Sequence, residues 1–278
     1  MDVVYIPTMS RIDMLRKTVP NWIDQGIQVR LVVDRMEFSI HGKLKREENW
    51  GKNVYILPLP LSARGIGYAR NFCVQHAKKT ALISIIMSDD DIHIHSNSNA
   101  SLLLEEAEKP GVLGIGATRS IHDMFTGGAI SRNHGAILCP GGWGFQVFGL
   151  NVQTALDCGN FDTKLHTIGE DTELARQGIK RGIPWLAHCD VKAVSVAKRY
   201  SPGGFAAKYS TIEARTAAEK ECLDIIHKRW PSYTNAPDKP LRVSWRKLLN
   251  DYIPNWKVAS AIHGGDIRSL EIPGDNNG

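Results

Sequence analysis

Long apolar runs are missing from this chain of 278 residues. None approaches the ~20 residues that a membrane-spanning helix needs, so no membrane partner is expected. Cysteine is sparse. Cys73, Cys139, Cys158, Cys189 and Cys222 are scattered, odd in number and form no C-x-x-C pair. That argues against a disulfide framework or a structural zinc. The opening MDVVYIPTMSR has no basic stretch leading into an apolar core, so no secretory leader is expected. Internal repeats, helix-turn-helix signals and zinc-finger spacing are also absent, which leaves sequence-specific DNA reading unsupported. At 42% hydrophobic and 23% charged residues, the composition is that of a folded protein with a sizeable core. We expect a chain made and kept in a reducing cytoplasm.

The net charge of +5 is modest but uneven. Between Lys192 and Asn250, twelve Lys and Arg face five Asp and Glu. A basic segment favours an anionic partner such as nucleic acid, nucleotide or a membrane surface. A solvated helix face has the same composition and no partner.

DVVYIP, VRLVVD, VYILPLP and LISIIM read as strands. Helical spacing follows in SRIDMLRKTVPNW, where Ser10 and Asp13 resemble a capping box, and in ARGIGYARNFCVQHAKKT. Strands alternating with helices predict an α/β fold with a mainly parallel sheet, covered on both faces. Further on, SLLLEEAEK predicts a helix, GVLGIGAT a strand, and Gly127 to Gly149 loops and short strands. GEDTELARQGIKRG predicts a helix starting on acids and stopping at Gly182. IPWLAHCDVKAVSVAKRY carries one or two strands. STIEARTAAEKECLDIIHKRW predicts a helix capped by Ser210 and Glu213 and ended by Pro231.

The strand IIMS runs straight into Asp89, Asp90 and Asp91. An open α/β sheet places its ligand beyond the carboxyl ends of its strands. Clustered carboxylates at such an end suit a divalent cation, which removes their mutual repulsion. Mg²⁺ and Mn²⁺ prefer oxygen and complete their shells with substrate phosphates. A polar turn capping the next helix is the plainer alternative.

IIMSDDD resembles the D-x-D element of GT-A fold nucleotide-sugar glycosyltransferases, with Asp89 and Asp91 at the two aspartate positions. GIGYARNF, just upstream, is similar to the G-x-x-x-A-R-N segment of that class. GNFDTKLHTIGEDTELARQ resembles the GGFD…GED segment of its inverting members, although Cys158-Gly159-Asn160 departs from the double glycine. The opening VYIPTMSR and the RGIGYARNF…DDD order look most like the TET-associated glycosyltransferases of phage DNA hypermodification. The resemblance covers roughly the first two hundred residues.

It implies a GT-A, Rossmann-like fold: a mixed, mainly parallel sheet flanked by helices, with a basic helical C-terminal extension. It further implies a catalytic domain over 1–195, divided into a nucleotide-sugar half (1–95) and an acceptor half (96–195). The extension, 196–278, would pack on the same domain. The implied activity is metal-dependent, inverting transfer of a sugar from a nucleotide sugar, by family habit a UDP-sugar, to a hydroxymethylated pyrimidine in DNA. No obligate protein partner is inferred.

In that reading Asp171 is the general base, with Glu170 as the alternative, and Mn²⁺ or Mg²⁺ is held by Asp89 and Asp91 with His188 as a candidate third ligand. Pro7, Thr8, Arg11, Asp34, Arg64, Gly65, Arg70, Asp90, Lys198 and Arg199 surround the donor. His122, Trp143, Gly203 and Gly204 face the acceptor. Aromatic residues lie among the basic ones after Lys192, as suits an extruded base or single strands. His93 and His95 are read as non-ligands. Three rival readings stand beside this one. The first is a glycosyltransferase with a protein, glycan or small-molecule acceptor. The second is a nucleotidyltransferase, which IPTMSRIDM disfavours because it lacks a glycine. The third is a non-catalytic DNA-binding protein.

Overall fold

Strand β1 (Val3–Thr8) is buried at every position, as is β4 (Ser84–Ser88). Side chains alternate across a strand. Val4 and Ile6 therefore join one apolar layer with Ile86, while Val3 and Tyr5 join the other with Ile85 and Met87. The computed structural model describes residues 2–60, 64–118, 135–138, 145–197, 209, 211–233 and 245–253.

The remaining strands are β2 (Gln28–Val33), β3 (Val54–Pro58), β5 (Ile92–Ile94), β6 (Gly114–Thr118), β7 (Ala136–Leu138), β8 (Val147–Asn151) and β9 (Trp185–Ser195). They form one nine-stranded mixed sheet in the order β3-β2-β1-β4-β8-β6-β9-β5, with β7 paired to β9 off that path. The first four strands of that order are mutually parallel. Antiparallel pairing enters where β8 inserts between β4 and β6. The chain winds outward from β1 to β3 and returns to place β4 on the other side of β1. That reversal opens a crevice at the carboxyl ends of β1 and β4.

Helices α1 (Ile12–Asp24), α2 (Phe38–Glu47) and α4 (Ser101–Ala107) lie on the layer built around Leu15, Trp22, Leu44 and Leu103. Helices α3 (Ile66–Lys79), α5 (Val152–Asp157) and α6 (Glu170–Lys180) lie on the opposite layer with Ala69, Cys73, Ala155 and Leu174. Helix α7 (Ile212–Arg229) buries only Ala218, Cys222 and Ile226, spaced four apart along one stripe. Helix α8 (Trp245–Tyr252) adds Leu248 and Leu249 to the first layer.

Two expected caps change. Helix α1 starts on Arg11 without a side-chain cap. Ser10 instead adopts φ 55 and turns its N–H and hydroxyl onto Glu37. Helix α7 is capped by Thr211, whose hydroxyl accepts the N–H of Ala214. Helix α2 is absent from the sequence expectation because only His41 and Leu44 of it are buried, too few for a clear period.

Candidate functional site

The three aspartates follow β4 and diverge. Asp90 is 4% exposed. It accepts from the Thr8 hydroxyl at 2.7 Å and from Arg11 at 2.7 Å. Thr8 and Arg11, expected at the donor, thus hold the middle aspartate in place. Asp89 and Asp91 point elsewhere, because the chain turns at Asp90 and Asp91 between β4 and β5. Asp91 accepts from the Ser195 hydroxyl at 3.0 Å, at the end of β9. Asp89 accepts from Arg70 at 2.8 Å.

Arg70 is the centre of the cluster. Its guanidinium also donates to Glu170 at 2.8 Å and to Asp171 at 3.1 Å. One buried cation therefore joins the D-x-D strand end to the start of α6. The rings of Phe148 and Phe161 lie 5.5 Å and 6.0 Å from its central carbon. Fixing so many donors on a planar fork suits arginine rather than lysine. Among the described residues, Arg70 spends both terminal nitrogens on these carboxylates, while its buried Nε has no hydrogen-bond partner.

One positive charge does not balance three carboxylates. Burial pushes Asp89 up to about 7, against the pull of Arg70 and with the help of Asp91 and Asp90. Burial, then Asp171, pushes Glu170 up to about 8, again against Arg70. Glu170 is 4% exposed, whereas the Asp171 side chain is 19% exposed. Asp171 is also fixed by the Thr172 N–H at 2.5 Å. Gly169, at φ 83, turns the chain into α6, and the acids of its first turn sit at the positive end of the helix dipole.

The glycines of GIGYARN serve packing. A Cβ on Gly65 would stand 2.1 Å from the His166 carbonyl oxygen, and one on Gly67 would stand 2.4 Å from that of Asp162. Asn71 donates to the Phe161 carbonyl at 2.8 Å. The ARN segment therefore clasps the loop that delivers Glu170 and Asp171. These close backbone contacts account for both glycines without a ligand.

Other expected residues lie apart. Pro7 is an interior residue of β1, paired with Val32. Asp34 is buried and caps the turn after β2, accepting the Met36 N–H at 2.9 Å. Arg64 lines a separate cavity of about 530 Å³ with His166, Tyr209 and α7. His188 lies toward the start of β9, paired with β6 and β7, whereas Ser195 at its end touches Asp91. His188 is buried, its pKa lowered by burial, and its Nδ1 accepts the Asp190 N–H. The structure does not bring it to the aspartates. His93 turns to the Lys17 carbonyl, and His95 accepts from Asn97. His122, Trp143, Lys198, Arg199, Gly203 and Gly204 lie outside the described residues.

The basic segment is less basic where it is described. Helix α7 carries four bases and four acids. Arg229 pairs with Asp162 at 2.5 Å and with Glu173, and Arg215 pairs with Glu219. Trp230 is a core residue, donating to buried Glu173 at 2.8 Å. Sequence reasoning missed Glu173 as the anchor of α7, because nothing in its spacing marks it out.

The aspartates go part of the way to a divalent-cation site. Among the described residues, no group of three His, Cys, Asp or Glu is placed to hold a metal alone. Among the described residues, however, each of Asp89 and Asp91 uses one carboxylate oxygen in its hydrogen bonds. Two such oxygens, completed by substrate phosphates and water, fit Mg²⁺ or Mn²⁺.

Residues 3–110 match the family model described as TET-Associated Glycosyltransferase. A mannosyltransferase from Pyrobaculum calidifontis, solved in complex with GDP-Man and Mn²⁺, is similar in fold. Its TM-score is 0.58 at 16% identity, over 93% of this chain and 73% of that one. A mannose-1-phosphate geranyltransferase from Thermus thermophilus matches at TM-score 0.42 and 12% identity, over 69% of this chain and 75% of that one. No curated protein matches the chain. No helix among the described residues is long and apolar enough to cross a membrane. The match over residues 3–110 supports an enzyme of glycosyl or nucleotidyl transfer, and the structural likeness gives the fold.

Proposed function

We infer that this enzyme transfers a sugar from a nucleoside-diphosphate sugar to a hydroxyl acceptor, a hydroxymethylated pyrimidine in DNA, with inversion at the anomeric carbon. One observation carries the reading: Arg70 gathers Asp89, from the end of β4, and Asp171, from the start of α6, around one guanidinium. A neighbour in fold is named as holding GDP-Man and Mn²⁺, which supports a nucleotide sugar and a divalent cation here. Asp89 and Asp91 would hold that cation, which when bound supplies charge neutralisation for the departing diphosphate.

Asp171, fixed by Arg70 and by its contact with the Thr172 N–H, takes the proton of the acceptor hydroxyl as the oxygen attacks. Glu170 is more deeply buried and keeps its proton to about 8, so it serves the cluster as a neutral partner rather than as the base. Arg11 and Thr8 lock Asp90 and with it the geometry of its two neighbours. The donor half extends over 1–95 and the acceptor half over 96–195.

The test is mass analysis of nucleosides from hydroxymethylcytosine- or hydroxymethyluracil-containing DNA after incubation with nucleotide sugars and Mn²⁺. A sugar adduct that requires Asp171 supports the reading. Donor turnover without a DNA adduct removes the DNA acceptor. A second reading, with a protein, glycan or small-molecule acceptor, is favoured by the even charge of α7, because a DNA-facing helix would neutralise phosphates.

A further inference from the structure

From Asn49 to Ser88 the chain carries Lys52, Arg64, Arg70, Lys78 and Lys79 but no aspartate or glutamate. The acids that bound this stretch are engaged elsewhere. Glu48 pairs with Arg16 at 3.0 Å, and Asp89 with Arg70 at 2.8 Å. The stretch builds β3, α3 and β4. Tyr55 of β3 stands opposite Arg30 of β2, so both side chains share a face of the sheet. Helix α3 packs on that face through Ala69, Cys73 and Ala77 and leaves Leu57, Tyr68 and Phe72 only partly buried. Tyr55 is 46% exposed, with the Lys45 ammonium 5.6 Å from its ring.

Arg30 is 8% exposed and pairs with no carboxylate among the described residues. Its Nη1 donates to the Tyr5 hydroxyl at 2.5 Å and to the Thr80 hydroxyl at 3.2 Å. Its Nε and Nη2 make no hydrogen bond among the described residues. The Tyr5 hydroxyl, accepting from Arg30, turns its own proton to His76 Nδ1 at 2.9 Å. The ring proton of a neutral His76 is then on Nε2, which donates. Burial, followed by the charges of Arg30 and Lys79, holds the His76 pKa below its usual value and favours that neutral form. Lys79 is exposed. The unused polar atoms of this group are thus all donors, and a guanidinium withdrawn from water without a counter-ion is relieved by an anion. The dipole of α3 accounts for Lys78 and Lys79 at its end. It does not account for Arg30, on a strand, or for the exposed ring beside it.

We propose that this face of β2, β3 and α3 binds a nucleic-acid strand, with Arg30, His76 and Lys79 on a phosphate and Tyr55, Tyr68 and Phe72 stacking bases beside it. Cations that track a backbone, interleaved with aromatic rings, are the requirements of single-strand binding. Phe72 and His76 lie 5.9 Å apart, so the aromatic shelf and the phosphate group are continuous. Helix α3 is roughly 20 Å long, and its first half carries Arg70 to the acidic cluster. A strand lying along the helix therefore leads toward the crevice. Stacking and phosphate contacts read no particular sequence. The surface is separate from α7, whose charges cancel.

The proposal deepens the DNA-acceptor reading and rests on it for the identity of the strand. It is tested by fluorescence anisotropy of a labelled single-stranded DNA oligonucleotide with the full chain over a range of salt, beside Arg30→Gln, Lys79→Gln and Tyr55→Ala, with Lys228→Gln on α7 as control. Tyr55→Ala should weaken binding at least about fivefold. Lys79→Gln should weaken it and flatten the logarithmic salt dependence by about 0.7. Lys228→Gln should leave it within about twofold, and nucleoside-diphosphate binding should be unchanged in every variant. Should Arg30→Gln fail to fold, the exposed Tyr55 and Lys79 decide. Oligonucleotide binding untouched by Tyr55→Ala and Lys79→Gln, or lost in Lys228→Gln instead, overturns this surface and leaves the DNA acceptor standing. Binding to phosphatidylserine vesicles without binding to the oligonucleotide also overturns it. Binding that these variants weaken, with no sugar adduct on hydroxymethylated DNA, keeps the surface and removes the acceptor. If no oligonucleotide binds at low salt, the surface falls, and the nucleoside analysis decides the acceptor separately.

Discussion

A single guanidinium, that of Arg70, stands among three carboxylates and is itself 2% exposed. Removing one partner of a buried charge group leaves the others uncompensated. Arg70→Ala should therefore cost about 3–5 kcal/mol, measured by chemical denaturation, and Arg70→Lys should recover only part of it. The proton balance has its own signature. Folding raises the Glu170 pKa to about 8 from 4.5, so the folded state holds a proton that the unfolded chain releases. Stability should fall as pH rises across that window. Glu170→Gln, which mimics the protonated form, should flatten the decline. Asp89, raised to about 7, must lose its proton to ligate a cation. Mn²⁺ affinity should therefore climb with pH up to about 7 and level off above it, as isothermal titration would register.

Helix α3 and the loop before α6 meet through backbone, without room for side chains at the contact. Gly67→Ala would push a methyl to 2.4 Å from one carbonyl oxygen and 2.6 Å from the next. It should destabilise by about 1–3 kcal/mol and raise hydrogen exchange at the start of α6, where the loop would be released. These contacts explain what the sequence made legible. The strands β1, β2, β4 and β6 and the helices α1, α3 and α6 were readable because each buries a regular stripe or run. IIMSDDD and GEDTELAR were readable because strand ends and helix starts concentrate acids. The role of Gly65 and Gly67 was not, since a ligand-facing turn and a close backbone crossing both demand glycine. Ser10 was misplaced as a cap because its pairing with Glu37 is set by how β1 and β2 lie side by side.

Across the whole molecule, the parallel strands β3, β2, β1 and β4 form one side of the sheet, and β8, β6 and β9 continue it after antiparallel pairing enters at β8. The acids of the two halves meet only because Arg70 spans them, a contact over a separation of about a hundred residues that no local pattern announces. The C-terminal helices are tied to this body through Arg229 to Asp162 and Trp230 to Glu173. Their basic excess is cancelled along α7, which local counting over a longer window concealed. Asp89 and Asp91 form the proposed donor site, completed by a divalent cation. Its most direct test is binding of a nucleoside diphosphate with and without Mn²⁺, in the unaltered protein and in Asp89→Asn with Asp91→Asn. The account predicts binding that needs Mn²⁺ and is lost in the double variant. Binding that is indifferent to the metal, or that survives the loss of both carboxylates, would contradict it.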